Sequence, residues 1–186
     1  MCVRRFQRTI VAIGIAIAAF AAFATGTAAA NAPAARPDSD ALIQRIASTI
    51  RTYTPFSIFD DISVSVDRRD VTLDGRVTMA FKREEIEARV RRIDGVERVT
   101  NRITVLPVSR SDSDLRQRLA LAIYGNSAFR HYASMLSPPI HIVVEYGRVT
   151  LTGTVNSEVE RRLAESLAYV PGAFSITNQL KLDTDR

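Results

Sequence analysis

The chain has 186 residues, 25 of them Lys or Arg and 20 of them Asp or Glu, and 46% are hydrophobic. The formal charge of +5 suggests a nucleic-acid partner, but three of the basic residues are the arginines of the first eight positions. Without them, 22 basic side chains face 20 acidic ones, a net charge of +2, which does not support nucleic-acid binding.

The amino terminus has the three parts of a secretory signal peptide. A basic start is followed by the uncharged apolar run 10–24 and by small residues up to Ala30. We predict that residues 1–30 are removed by cleavage after Ala30. An uncleaved anchor is the alternative, because the apolar run approaches the ~20 residues that span a bilayer. Cys2, the only cysteine, would leave with the leader, so the mature chain would hold no disulfide, thiol nucleophile or thiolate metal site.

An internal repeat is the strongest pattern in the sequence. Residues 71–77, Val-Thr-Leu-Asp-Gly-Arg-Val, match residues 149–155, Val-Thr-Leu-Thr-Gly-Thr-Val, at five of seven positions. The similarity continues upstream, where Ile62, Val64 and Val66 alternate with polar residues as Ile140, Ile142 and Val144 do. Two copies indicate a duplicated domain rather than a solenoid, which needs more units.

Each copy predicts the same elements in the same order. An amphipathic helix is indicated by Leu42, Ile46 and Ile50, and by Leu115, Leu119 and Ile123. Asp38-Ser39 and Ser111-Asp112 are its expected N-caps. A hairpin then turns at 67–70 and at 145–148. A second helix is predicted over 83–93 and 158–170, ending near Gly95 and Gly172, and a last strand follows.

This order predicts an α+β fold of two tandem α-β-β-α-β domains, each a three-stranded sheet with two helices on one face. The expected boundaries are 40–107 for the first domain and 112–183 for the second. Residues 31–39 and 108–111 are predicted linkers.

Each copy resembles the BON domain, the module of the bacterial osmotically inducible periplasmic proteins. The resemblance rests on Val-Thr-Leu-x-Gly-x-Val, a charged helix, Gly-Val or Gly-Ala, and Asn-x-Ile or Asn-x-Leu before the last strand. It implies a periplasmic or outer-membrane-associated protein that binds phospholipid and helps to maintain the envelope under stress. The long aromatic connections 53–61 and 125–139 depart from the compact family pattern.

The connection in the second copy supplies candidate lipid contacts. Ser127 is expected to cap a short helix 128–136, on which Phe129, Tyr132, Ala133 and Leu136 form a stripe. An aromatic stripe bordered by cations suits a lipid headgroup region. The candidate contacts are Arg116, Arg118, Phe129, Arg130, His131, Tyr132 and Met135. The other interpretation, which the small size of the module favours, is that the stripe closes the core of its own domain.

Other residues favour structural interpretations. Gly75 and Gly153, inside strands, indicate a bulge or close packing rather than a ligand site. Asn101 and Asn178 are expected to form turns. The basic cluster Arg89, Arg91, Arg92, Arg98 and Arg102 contains i, i+4 pairs, Glu85 with Arg89 and Glu87 with Arg91, typical of a solvated helix face.

The sequence gives little basis for catalysis. His131 and His141 are the only histidines, and no nucleophile, phosphate-loop or paired-histidine metal motif is present. We therefore predict a non-enzyme without a cofactor or metal, whose partner is an anionic phospholipid surface and not nucleic acid. The alternative is a protein-interaction module that docks an envelope partner, or a copy of itself, on a sheet edge or an open sheet face.

Overall fold

A computed structural model of the chain describes residues 37–183. The predicted signal peptide and its cleavage point lie outside this range. Within it, no helix has the length and apolar character needed to cross a membrane.

The first copy has the predicted order of elements. Helix α1 (Pro37–Arg51) precedes the hairpin of β1 (Asp61–Asp67) and β2 (Asp70–Val77), and helix α2 (Ala80–Val90) leads to β3 (Arg98–Val105). The sheet order is β1-β2-β3, with β1 antiparallel and β3 parallel to β2. Inward side chains of both helices and of the strands share one core, so both helices cover the same face of the sheet.

The second copy repeats this plan with additions. Helix α3 (Arg110–Tyr124) is followed by a 3-10 turn (Ser127–Phe129) and the short helix α4 (Arg130–Ala133). Strands β4 (Ile140–Glu145) and β5 (Arg148–Val155) form the hairpin, and helix α5 (Glu158–Leu167) follows. The predicted single last strand is divided into β6 (Ser175–Asn178) and β7 (Lys181–Leu182), both parallel to β5.

Local details of several helices differ from the predictions. Helices α2 and α5 end at Val90 and Leu167, three residues earlier than expected in each case. The N-cap of α3 is Ser109, whose side chain accepts from the Asp112 amide. The 3-10 turn is capped by Asn126 rather than by Ser127. Prediction of these boundaries was wrong because several residues near each helix end have suitable side chains.

The glycines inside the hairpins are required by close backbone packing. At Gly75, with φ +144°, an added Cβ would lie 2.1 Å from the Asp61 carbonyl oxygen. At Gly153, with φ +105°, it would lie 1.8 Å from the Pro139 carbonyl oxygen. The glycines therefore admit the start of the neighbouring strand, which agrees with the structural interpretation.

Each of the two asparagines closes a side-chain turn with the amide two residues further on, which agrees with the prediction. Asn101 donates from Nδ2 to the Arg83 carbonyl, and its Oδ1 accepts from the Ile103 amide. Asn178 donates to the Arg161 carbonyl and accepts from the Leu180 amide in the same way. Each asparagine thus fastens the last strand of its copy to the second helix.

The connection between α1 and β1 joins the two copies. Ile58 accepts a backbone hydrogen bond from Ile142 of β4 at 2.7 Å, and Phe59 packs against the core of the second copy. The Phe56 ring lies 5.4 Å from that of His141. Val143, on the face of the second sheet opposite the helices, is only 2% exposed.

Candidate membrane-contact site

The two aromatic residues of the predicted stripe lie inside the protein, whereas Ala133 and Leu136 are exposed. Phe129 is fully buried and Tyr132 is 3% exposed, both within the core of the second copy. The Tyr132 hydroxyl donates to Glu160 at 2.8 Å and accepts from the Asn156 amide at 3.0 Å. Phe129 and Tyr132 are therefore not lipid contacts, and the interpretation that they close the core of their own domain is confirmed: a domain this small uses its large apolar side chains inside.

Arg116 is not a lipid contact either, because its side chain lies inside the protein. Its side chain is buried, and Nη2 donates to the Val144 carbonyl at 2.6 Å. Burial lowers the pKa of the Arg116 guanidinium, while the nearby carboxylates of Asp112 and Asp60 act in the opposite direction. The prediction was wrong because this side chain turns toward the edge of β4 instead of toward solvent.

The other candidates are at the surface. Arg118, Arg130 and His131 are exposed, and the His131 ring lies against the Tyr132 ring with 3.8 Å between centroids. Met135 is 47% exposed. Leu136 of the predicted stripe, at 97%, and Leu121, which the prediction did not include, at 74%, are also exposed around this connection.

A second exposed surface, which we call the tip, lies at the other end of α3. It comprises Tyr146, Arg148, Phe174 and Arg118. Tyr146 occupies the turn between β4 and β5 and is 61% exposed, and Phe174, before β6, is 85% exposed. The Phe174 amide donates to the Gly147 carbonyl at 2.9 Å, and its ring covers Gly147. The two aromatic rings therefore project from neighbouring loops.

The tip is held rigidly and carries positive charge. The Asp112 carboxylate of α3 accepts from the Tyr146 and Gly147 amides at 2.8 and 2.9 Å. Arg148 pairs with Ser175 in the sheet, and the Arg118 guanidinium lies beside Gly172. Neither arginine forms an ion pair with another residue in the range 37–183. Fixed aromatic rings beside unpaired cations are suited to a membrane interface.

The equivalent end of the first copy has a different surface. The Glu97 amide donates to the Arg69 carbonyl at 2.9 Å, so Glu97 stands where Phe174 stands in the second copy. Arg68 occupies the turn position of Tyr146. Ion pairs join Arg69 to Glu97 at 2.6 Å and Arg98 to Asp70 at 3.0 Å. The same backbone thus presents exposed ion pairs in one copy and exposed aromatic rings in the other.

Sequence reasoning missed Tyr146 and Phe174 although the repeat contained the signal. Aligned on the Val-Thr-Leu motifs, the copies place Tyr146 opposite Arg68. Aligned on the Gly-Val and Gly-Ala pairs, they place Phe174 opposite Glu97. An aromatic residue opposite a charged one in a duplicated domain indicates a surface position, because a core position would be apolar in both copies.

The basic cluster of the first copy lies at the surface, and three of its arginines contact other side chains. Arg91 pairs with Glu87, as predicted, and Arg98 pairs with Asp70. Arg89 does not pair with Glu85: its guanidinium lies 4.7 Å from the centre of the Tyr53 ring, and Glu85 accepts the Tyr53 hydroxyl at 2.8 Å. Burial, followed by this hydrogen bond, raises the pKa of Tyr53 to about 12. These contacts agree with the structural interpretation of the cluster.

No set of His, Cys, Asp or Glu side chains within residues 37–183 is arranged to hold a metal ion. His141 and His131 are the only imidazoles. His141 lies half-buried between the copies, where burial lowers its pKa despite the opposing influence of Asp61 and of the Asp60 and Ser57 carbonyls. Its surroundings are those of a packed side chain.

The fold and the sequence motifs together define the class of protein to which this chain belongs. The chain belongs to the BON-domain family, since the family described as BON domain matches residues 38–107 and 111–184. Among individual proteins, osmotically-inducible protein Y of Escherichia coli (strain K12) is 32% identical over 130 residues. That match covers 65% of this chain and 61% of the relative, so the chain spans less than two thirds of that protein's length.

Solved structures give only distant matches. A structure of CdsD, a structural protein of the type III secretion system of Chlamydia trachomatis, is 14% identical, with 76% of this chain and 92% of that chain covered and a TM-score of 0.29. The periplasmic domain of the inner-membrane protein PrgH from S. typhimurium is 16% identical, with 78% and 73% covered and a TM-score of 0.27.

Proposed function

We propose that the chain is a non-catalytic periplasmic protein that associates reversibly with anionic phospholipid surfaces and supports the integrity of the cell envelope. The tip of the second copy carries this proposal, because it combines exposed aromatic rings with arginines that pair with no acidic residue among positions 37–183. The osmotic induction named in the E. coli relative is consistent with an envelope role under stress.

The expected mode of association is shallow. Tyr146 and Phe174 would enter the headgroup region, and Arg118 and Arg148 would each contribute about 1 kcal/mol on an anionic surface. A single small patch of this kind gives weak binding, since stable anchoring needs more than one signal. Screening by salt should weaken the electrostatic part.

Sedimentation with liposomes tests the proposal. Residues 31–186 are mixed with phosphatidylglycerol or phosphatidylcholine vesicles at low and moderate salt. We expect pelleting that is selective for phosphatidylglycerol and falls as salt rises. Tyr146→Arg combined with Phe174→Glu, which gives the second tip the residues of the first and leaves the net charge unchanged, should abolish it.

A matched pair of substitutions controls for general loss of apolar surface. Leu121→Arg combined with Leu136→Glu changes the other exposed apolar surface of the second copy and should leave pelleting intact. Loss in this control alone would place the contact at the connection instead of the tip. No pelleting of the unsubstituted chain with either lipid would reject direct membrane binding.

A charge-matched comparison tests the arginines. Arg118→Gln with Arg148→Gln should weaken binding to phosphatidylglycerol about thirtyfold, from about 1 kcal/mol for each cation. Arg83→Gln with Arg92→Gln, which removes the same charge from the first copy, should have a much smaller effect. Equal losses would indicate that net charge, and not the tip, governs binding.

A second candidate function is a protein-interaction module of an envelope assembly. The outer edge of β1 favours it, because the outward backbone groups of this strand have no hydrogen-bond partner within residues 37–183.

A further inference from the structure

The outer edge of the first hairpin strand is closed in the second copy. In an antiparallel pair, alternate residues direct their backbone N–H and C=O groups away from the partner strand. In β4 each of these residues is bonded: Ile140 O accepts from the Tyr124 hydroxyl, Ile142 N donates to Ile58 O at 2.7 Å, and Val144 O accepts from Arg116 Nη2 at 2.6 Å. The edge of β4 therefore cannot receive another strand.

The same edge is open in the first copy. Pairing with Gly75 and Gly153 sets Ile62 and Ile140 at equivalent positions, so the outward residues of β1 are Ile62, Val64 and Val66. Within the described residues, no hydrogen bond reaches their outward backbone groups. The helix positions that correspond to Arg116 and Tyr124 hold Ile43 and Arg51 in α1, and neither side chain bonds to β1.

A cleft of about 600 Å³ lies against this open edge. Ile43, Ala47 and Ile50 of α1 form one wall, and Ile62 and Val64 of β1 form another. The second copy bounds the remaining side, and the cations Arg51 and Lys181 stand at the cleft with the carboxylate of Asp61. Its volume falls within the range of about 300–1,000 Å³ that is typical of ligand sites.

In the second copy, the position equivalent to this cleft is occupied, and the occupant indicates what kind of segment the cleft can bind. There the chain's own residues 58–60 lie beside the helix and the strand. Ile58 lines a groove with Ala120 and Tyr124 of α3, and Phe59 packs against the core. Asp60 follows, and its carboxylate is bonded to Lys82 and Thr78 of the first copy. The occupant is thus a tight turn, closed by the Asp60 amide donating to the Ser57 carbonyl at 3.0 Å, with an aliphatic residue, an aromatic residue and an acidic residue in sequence.

We propose that the cleft between α1 and β1 binds a short segment of a partner protein that carries an aliphatic–aromatic pair followed by an acidic residue. The segment adds to the edge of β1, where the Val64 amide donates to it as the Ile142 amide donates to Ile58. Its apolar side chains enter between Ala47 and Ile62, and its carboxylate meets Arg51 and Lys181. This site is separate from the tip and goes beyond the proposed lipid association.

Fluorescence anisotropy with a labelled peptide tests the site. The probe is a synthetic peptide with the sequence of residues 55–61, Pro-Phe-Ser-Ile-Phe-Asp-Asp, and the protein is the chain 31–186. We expect saturable binding that a peptide of scrambled sequence does not reproduce. Ala47→Trp, which fills the cleft, and Arg51→Glu, which reverses a charge in it, should each weaken binding at least tenfold.

Matched controls separate the site from the rest of the surface. Ala88→Trp, on the exposed side of α2, and Arg92→Glu, in the turn after that helix, introduce the same changes elsewhere and should leave peptide affinity unchanged. Tyr146→Arg with Phe174→Glu should also leave it unchanged, so failure of the lipid proposal and failure of this one can be distinguished. Far-ultraviolet circular dichroism verifies that each variant is folded.

Three results would overturn the proposal. Peptide binding that is absent, or insensitive to both Ala47→Trp and Arg51→Glu, would show that the cleft does not take such a segment. Self-association of the chain that Ala47→Trp abolishes would assign the cleft to a second copy. A fluorescent fatty acid that binds the cleft and that the peptide cannot displace would assign it to an acyl chain.

Discussion

The two copies share one scaffold but fix their long connections by different chemistry. In the first, the fully buried Asp60 carboxylate accepts from Lys82 Nζ at 2.6 Å, from the Thr78 amide at 2.7 Å and from the Ser57 amide at 2.8 Å. In the second, the rings of Phe129 and Tyr132 fill the core. Strands and helices are alike in both copies, whereas connections and hairpin ends have diverged, so function is best sought in the latter.

Removing the buried carboxylate should have the largest effect on this comparison. Asp60→Ala leaves the Lys82 ammonium buried without its acid, and we expect a loss of about 3–5 kcal/mol in the free energy of unfolding, measured with urea. Asp67→Ala, at the exposed end of β1, is the control. Addition of Lys82→Met to Asp60→Ala should restore part of the loss, and a loss from Asp60→Ala no greater than from the control would contradict the assignment.

The contact between Asp60 and Lys82 also predicts the direction in which the stability of the protein changes with pH. Burial alone would raise the pKa of Asp60, but hydrogen bonds from Lys82, Thr78 and Ser57 hold it below its ordinary 3.8. The unfolded chain therefore takes up this proton first as pH falls. Stabilisation by Asp60 is complete above about pH 3.8 and disappears as pH falls through the lower folded value, so the deficit of Asp60→Ala should shrink in strong acid.

His141 should make the junction between the copies sensitive to mild acid. Burial holds its pKa below the ordinary 6.5, so the unfolded chain binds this proton at higher pH than the folded chain does. The free energy of unfolding should consequently decrease as pH falls below about 6.5. The free energy of unfolding of His141→Gln, measured with urea, should change less between about pH 7 and about pH 5 than that of His131→Gln. Equal changes in the two variants would contradict the assignment of this pH effect to His141.

Removing a tyrosine hydroxyl should have a smaller effect, and a larger one in the second copy than in the first. Burial, and then the hydrogen bond to Glu160, raises the pKa of Tyr132 to about 12, and the hydroxyl also accepts from Asn156. The Tyr53 hydroxyl bonds to Glu85 alone. We expect losses of about 1.5 kcal/mol for Tyr132→Phe and about 0.5 kcal/mol for Tyr53→Phe in thermal unfolding. The reverse order would contradict the comparison.

The smallest effect on stability is expected from grafting the tip of the second copy onto the first. Arg68→Tyr with Glu97→Phe removes an exposed ion pair and should change the free energy of unfolding by less than about 0.5 kcal/mol. If aromatic rings at this end suffice for lipid contact, pelleting with phosphatidylglycerol vesicles should increase. Unchanged pelleting would show that features of the second copy beyond Tyr146 and Phe174 are required.

The fold could be predicted from the sequence because the duplication presents each residue pattern twice. The alternation of Ile62, Val64 and Val66, repeated at Ile140, Ile142 and Val144, identified the same strand twice, and the glycines at 75 and 153 marked the same close approach. BON-domain membership follows from these residues and is confirmed by the family match.

The surface could not be predicted in the same way. Periodicity locates an apolar stripe such as Phe129 and Tyr132 but does not say whether the stripe faces the core or solvent. Arg116 lies on a helix face that appears polar in sequence, and only the adjacent strand edge shows why a cation is buried there. The contact between Ile58 and Ile142 joins distant positions and leaves no local pattern.

That contact also gives the order of the copies along the chain a physical meaning. Ile58 and Phe59 are synthesised before β4, so the segment that covers the edge of β4 already exists when that strand forms. An uncovered strand edge is a template for aggregation, and folding during synthesis proceeds from the amino terminus. The first copy therefore supplies, ahead of β4 in the chain, the segment that covers the edge of that strand, an order that exchanging the two copies would reverse.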